Sequence, residues 1–371
     1  MSTASTARHD PPFRADHVGS LLRPERLHEA RRKAAAGEIS KEALRAVEDE
    51  CIVEVVKLQE DIGLQVVTDG EFRRTWWHFD FLSGFDGFEL GEPLEMGTFQ
   101  GSDEQPPRAL ITGRLTRSRP VMVDHFKYLH GKTSRTAKFT MPGPSMAHFR
   151  AGRQGIDKAV YPELGPFWDD LTACYRAEIA DLVAAGLTYL QLDDISYAYL
   201  CDNDVRDYLK SRGDSADELA ITYAHALNEA VRDLPDTVTT GLHMCRGNFQ
   251  SAWAAQGGYE AVAERVFDLL HVNALFMEYD SDRAGGFEPL RYVPKDKVVV
   301  LGLVTTKTGE LEPKDALKRR IEEATRYIDL DQLCLSPQCG FSSTHHGNKI
   351  TVDDEIAKLT LVREVADEVW G

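Results

Sequence analysis

His243 and Cys245 stand two residues apart in Gly241-Leu-His-Met-Cys-Arg-Gly-Asn-Phe249, directly after the β-branched run Thr237-Val-Thr-Thr240. On a strand, side chains two apart point to the same face, so an imidazole and a thiol would lean side by side beyond the strand end. Two later stretches carry metal-binding residue types in similar surroundings, Leu275-Phe-Met-Glu-Tyr-Asp280 and Leu335-Ser-Pro-Gln-Cys-Gly-Phe341. His243, Cys245, Glu278 and Cys339 are therefore the candidate ligands of one Zn²⁺. Their dispersal differs from the local Cys-x-x-Cys pairs of a zinc finger and suits a catalytic site on a rigid scaffold. Two thiolates and a carboxylate outweigh the dication by one unit. Such a sulfur-rich metal is a poor source of hydroxide and suits binding another thiol and stripping its proton. The plain alternatives are a core His-Cys pair, a loop thiol beside Pro337 and Gly340, and a carboxylate leaving a strand. Two other classes of function also stay open: a non-catalytic zinc- or thiol-binding protein, and hydrolysis by metal-bound water.

The elements that must position these residues alternate. Long amphipathic patterns run from Lys41 to about Ile62, stopped by Gly63, from about Glu163 to Ala185, from Leu219 to Leu234, from Lys314 to Ile328 and from Asp353 to Val369. Between them lie apolar, β-branched runs, with about eight strands expected at 13–20, 64–72, 137–145, 187–194, 238–245, 269–280, 297–305 and 331–336. Lys297-Val-Val-Val-Leu-Gly-Leu-Val304 is apolar throughout, the mark of a strand buried on both faces. The alternation predicts an α/β fold, a single (β/α)₈ TIM barrel over 13–371, with an insertion at about 73–136 between the second and third strands. Within that insertion 84–107 reads as loops and short hairpins, and residues 1–12 read as a disordered tail. Ser20, Asp69, Glu71, Asp193, His243, Cys245 and Glu278 fall at C-terminal strand ends and Cys339 just after the last, where a barrel gathers its active site.

Composition narrows the partners. A formal net charge of −17 over 371 residues repels phosphate backbones and anionic lipid, which argues against nucleic-acid and membrane binding. No apolar run approaches the roughly 18–20 residues of a membrane span. Six cysteines are too sparse for a disulfide scaffold, and the polar N-terminus has no apolar signal core, so a cytoplasmic location is expected.

With these residues in place, the chain resembles the catalytic barrel of cobalamin-independent methionine synthase, in a short form without the N-terminal barrel. The matching pieces are His17-Val-Gly-Ser20, Asp69-Gly-Glu71, Leu190-Gln-Leu-Asp-Asp194, His243-Met-Cys245, Met277-Glu278 and Gln338-Cys-Gly340. The resemblance implies a zinc-dependent methyltransferase in which the metal binds the sulfur of homocysteine and the sulfur takes a methyl group, giving methionine. It implies that Ser20, Glu71 and Asp193, with the His17 segment, hold the amino-acid part of the substrate. The chain departs from the family after its seventh expected strand. There methionine synthases carry a histidine thought to assist proton delivery, and this chain reads Val304-Thr-Thr-Lys-Thr-Gly309. Lys307 stands near that place, so Lys307 and Asp193 are the candidate catalytic side chains. The donor then stays open between a methyl-folate and a methyl-corrinoid, the latter carried on a partner protein. Related short forms join another thiol and donor, such as coenzyme M and an epoxide. For a sulfonate thiol, Arg14, Arg23 and Arg246 are the candidate cations. Trp76, Trp77, His78 and Phe79 read as a lid or stacking platform, or as anchors of the insertion, and His345-His346 as a ligand-orienting pair or an exposed loop.

Overall fold

The computed structural model describes residues 8–92 and 107–371. Residues 1–7 of the expected tail and 93–106 of the expected loops lie outside the described residues. The strands are β1 Val66–Val67, β2 Asp86–Gly91, β3 Arg108–Thr116, β4 Thr136–Pro142, β5 Tyr189–Asp194, β6 Thr239–Met244, β7 Ala274–Glu278, β8 Val298–Val304 and β9 Leu333–Pro337. Seven of them form one sheet in the order β1-β4-β5-β6-β7-β8-β9, and every pairing in it is parallel.

Helices separate most of these strands, as parallel crossovers require. Their ends are where local chemistry puts them. Ser40 caps Lys41–Ile62 by accepting from the Ala43 amide, and Gly63 closes it at φ 94. Thr351 and Asp354 form a capping box at the start of Val352–Trp370. Helices Val123–His130 and Asn203–Ser211 are additions that the sequence pattern did not announce.

β5, β7, β8 and β9 are buried along their whole length. Helices cover the outer face. On the inner face Val66, Tyr189, Phe276, Val300 and Cys334 pack with Phe13 in a cluster of their own. Residues of β1 and β9, the two edges of the sheet, meet there, so the sheet is curled into a barrel-like wall.

Two expected strands are corrected. Phe13–Ser20 is not a strand of the sheet. It touches β9 through one parallel bridge, Ala15 to Leu335, and touches the far edge through Thr68 Oγ1 donating to the Gly19 carbonyl at 2.6 Å and the Leu21 amide donating to Gly70 at 3.1 Å. It thus spans the gap between β9 and β1. Its ladder fails because Gly19 sits at φ 135 and Asp16 turns inward to an ion pair with Lys138. The second expected strand, 64–72, shrinks to Val66–Val67. There the Asp69 side chain accepts from the Glu71 amide at 2.9 Å, a local turn that competes with strand pairing. Between β1 and β4 the chain forms the antiparallel pair β2–β3.

Candidate metal centre

The site is built at the C-terminal ends of β6, β7 and β9. His243 lies in β6 and Cys245 directly follows it; Glu278 ends β7; Cys339 lies two residues past β9. Strand alternation buries Met244 completely, whereas His243 and Cys245 line the pocket at the mouth together. The backbone register sets Asp193 of β5 beside His243.

The four ligand atoms lie within 4.8 Å of one another and all four residues are buried. The two sulfurs stand 3.5 Å apart, and both cysteines are free thiols. That spacing is far outside a disulfide bond, and close to the roughly 3.8 Å that a tetrahedral zinc with Zn–S of about 2.3 Å imposes. Neither ring nitrogen of His243 has a hydrogen-bond partner among the described residues, so a buried imidazole is left for a ligand that accepts its lone pair. One thiol of the pair leans toward the charged state at the expense of the other. Cys339, contacted by the Cys245 thiol and the His243 ring, is held well below the usual thiol range. Cys245 is pushed up by sharing its proton with Cys339 and by burial. Burial raises Glu278, opposed by Lys307 and Arg283. The donor set therefore fits a soft divalent cation such as zinc.

Beside the ligands opens a pocket lined by Ser20, Glu71, Asp193, His243, Cys245 and Cys339, with Trp76, Trp77 and His78 across it. Asp193 has its carboxyl pushed up to about 7 by burial and by neighbouring Glu71, with His243 opposing. Glu71 is raised chiefly by burial. Its Oε1 accepts from Thr140 Oγ1 at 2.7 Å, whereas Oε2 is buried without a partner among the described residues. Two buried carboxylates that line one pocket in this way are prepared for a cation. Ser20 is held against the Cys339 loop, where a side chain at Gly340 would collide with its Oγ.

The other expected residues fall elsewhere. His17 does not line the pocket: along the extended segment Val18 and Ser20 face it and His17 faces away. Burial, with the charge of Lys138, brings the His17 imidazole down to about 3. Lys307, half-buried after β8, also lies outside the lining. Its charge acts on Cys339 and Glu278, favouring their ionised forms, and its Nζ has no partner among the described residues. Phe79 is core, and neither His345 nor His346 lines the pocket; the Trp76 ring stacks on Phe249 at 6.1 Å.

None of the three expected cations lines the pocket. Arg14 donates to the Leu333 carbonyl at 2.6 Å, Arg23 to Ser342 Oγ at 2.5 Å, and Arg246 stacks over Tyr259 at 4.3 Å. Arg150 lines it instead, a residue with no motif around it to mark it.

The sequence reading also missed the support beneath the pocket. Lys138 of β4 pairs with Asp16 at 2.8 Å with both side chains fully buried, donates to the His17 carbonyl and reaches Gln191 Oε1 at 3.0 Å. Gln191 Nε2 in turn donates to the Val18 carbonyl at 2.6 Å and to Asp193 Oδ1 at 2.7 Å. The one available signal was polar residues, Lys138 and Gln191, inside otherwise apolar strands.

A family model described as the catalytic domain of cobalamin-independent synthase matches residues 13–368. The Bacillus subtilis protein YxjG, whose function is uncharacterized, is 47% identical over 369 residues, covering 99% of this chain and 97% of its own. A Bacillus licheniformis 5-methyltetrahydropteroyltriglutamate–homocysteine methyltransferase is 24% identical over 361 residues, 95% of this chain but 42% of its own length. Among solved structures, a Listeria monocytogenes protein provisionally described as a vitamin-B12-independent methionine synthase superposes with a TM-score of 0.79 at 35% identity. That match covers 98% of this chain and 100% of the Listeria chain.

Proposed function

The chain belongs to the family of cobalamin-independent synthase catalytic domains, and from that premise we propose that it is a zinc-dependent thiol methyltransferase acting on homocysteine. The observation that carries this reading is the meeting of four soft and acidic donors within 4.8 Å, three of which, His243, Cys245 and Cys339, line one pocket together with Glu71 and Asp193. His243, Cys245, Glu278 and Cys339 would hold the metal. Bound there, zinc would supply the Lewis acidity that keeps a substrate thiol deprotonated at neutral pH.

The remaining roles belong to the chain. Glu71 and Asp193 take the substrate ammonium, a charge their shared pocket favours. Ser20 takes the carboxylate, and His17 serves through its backbone, by which Lys138 fixes the segment. Lys307, close enough to act electrostatically on Cys339 and Glu278, balances the anionic ligand set. The architecture is read as a (β/α)₈ barrel in which 13–20 occupies the first position and 73–136 is an insertion. The location is read as cytoplasmic; among the described residues no helix is long and apolar enough to cross a membrane.

A second reading draws on Arg150. As the one Arg or Lys lining the pocket among the described residues, it favours an anionic thiol such as coenzyme M, alkylated by an epoxide. The test is a matrix of homocysteine and coenzyme M against methyl-folate, methylcobalamin and an epoxide, scored as S-alkyl product from zinc-loaded protein. Methionine from a methyl donor is the expected result. Product only from coenzyme M and the epoxide establishes the second reading, and a metal-loaded protein inert toward all six pairs removes both.

A further inference from the structure

Glu278 differs from the other three ligands in having a second partner waiting for it. Its Oε1 accepts from the Arg246 amide at 2.8 Å. Its Oε2 lies 3.4 Å from Nη2 of Arg283, longer than the roughly 2.7–2.9 Å of a mature charge-assisted hydrogen bond. The carboxylate therefore sits between the ligand cluster and a cation it has not fully engaged. That cation has capacity to spare. The Arg283 side chain is only 9% exposed, and its Nη1 has no hydrogen-bond partner among the described residues. It is also held in place, with its guanidinium over Trp253 at 5.1 Å and near Asp280 at 3.5 Å. Its carbonyl accepts from the Gly257 amide at 3.0 Å. Gly285, at φ 73, lets the turn pack so tightly that an added Cβ would stand 2.9 Å from the Gly258 backbone. The sulfurs are held differently: Cys245 receives a backbone amide at 3.3 Å, and Cys339 lies 3.7 Å from Ser343 Oγ and feels the charge of Lys307.

We propose that Arg283 is a docking post for the Glu278 carboxylate, receiving it when a substrate thiol takes its place at the metal. The inference rests on the thiol-alkylation reading above. In the exchange one metal–oxygen bond breaks and one metal–sulfur bond forms. The thiol proton leaves to solvent, one anion replaces another at the metal, and the released carboxylate stays ionised against the guanidinium. Without a waiting cation, a fully buried free carboxylate would be driven back onto the metal. Arg283 is thus a positioning residue that sets how readily the site opens to substrate.

The test compares the parent with Arg283→Met and Arg283→Lys in two measurements: zinc affinity against a competing chelator, and the absorption spectrum of the cobalt-loaded protein titrated with homocysteine and with coenzyme M. Arg283→Met should hold zinc on the order of tenfold more tightly and take up thiol on the order of tenfold more weakly. Arg283→Lys should recover part of the thiol uptake. Opposite signs in one variant are the signature, because damage to packing weakens both. A thiol-responsive parent with an unchanged Arg283→Met variant, or a variant weakened in both measurements, overturns the docking role alone. A parent spectrum indifferent to both thiols overturns the exchange together with the thiol reading itself.

Discussion

The two walls of the pocket are made differently. The metal wall comes from paired strands: His243 lies within β6, Glu278 ends β7, and Cys339 follows β9 by two residues. Neighbouring parallel strands fix the heights of His243 and Glu278 through continuous backbone register, while the β8–β9 register shifts between Gly302 and Val304 just before the Cys339 loop. On the substrate wall only Asp193 belongs to a paired strand, β5; the rest comes from irregular chain. Ser20 belongs to a segment with a single bridge to the sheet, and Glu71 holds a left-handed φ of 60, unusual for a side chain of its size. Where the ladder is missing, buried polar groups replace it. Lys138 and Gln191 tie down the carbonyls of His17 and Val18. Arg23 donates to the Glu71 carbonyl at 2.7 Å, and Arg74 pairs with Glu71 Oε1 at 3.4 Å. The metal wall is thus preformed by β-structure, while the substrate wall depends on charges whose removal loosens it.

The sharpest way to test this contrast is at the metal. Cys339→Ser should cut bound zinc from about one per chain toward zero and take thiol alkylation to background, with the far-ultraviolet circular dichroism spectrum unchanged because the strands do not need the ion. Loss of the fold along with the metal would show that the metal wall is not preformed. Next in size comes Lys138→Met, which leaves Asp16 buried without its cation. Urea unfolding should show a loss of about 3–5 kcal/mol, and the Michaelis constant for the thiol should rise as the Ser20 segment loosens. A variant as stable as the parent would deny that the ion pair stands in for the missing ladder.

Of similar size, but expressed only over a window of pH, is a stability component set by a carboxyl that holds the end of the Ser20 segment. Glu355, fully buried, accepts from the Leu22 amide at 2.8 Å, two residues beyond Ser20. Burial pushes its carboxyl up to about 8 from an ordinary 4.5. The unfolded chain thus releases this proton near pH 4.5 while the folded chain keeps it to about pH 8. Between those values the folded state binds more protons, so stability falls as pH rises through the window and levels off above it. Glu355→Gln should remove that component, on the order of a few kcal/mol by pH 8. Melts from pH 5 to pH 9 check it; equal slopes in parent and variant would show that Glu355 is not held protonated.

The contrast also explains what could be read in advance. Phe276, Val300 and Leu301 sit in runs whose β-branched and apolar character specifies strands buried on both faces, and Gly63 marks a helix end by chemistry that acts within a few residues. Strand alternation then put His243 and Cys245 on one face, and the recurrence of Glu278 and Cys339 at later strand ends gave the ligand set. Arg150, Asp16 and Arg283 were not legible, because nothing near each of them in the chain states its partner. Arg283 meets Trp253 from 30 positions away in the numbering, and Asp16 finds Lys138 across 122.

The sequence by itself determined the alternation of elements, the four candidate metal ligands and the strand ends that carry them, since periodicity and local turn chemistry act over a few residues. Only the tertiary structure decided that 13–20 would bridge the sheet edges instead of joining them as a strand. It alone turned His17 away from the pocket, set Arg150 into it, and placed Arg283 behind Glu278. Those outcomes depend on which buried charge finds which partner once the sheet has curled, and long-range pairing of that kind has no periodic trace in the chain.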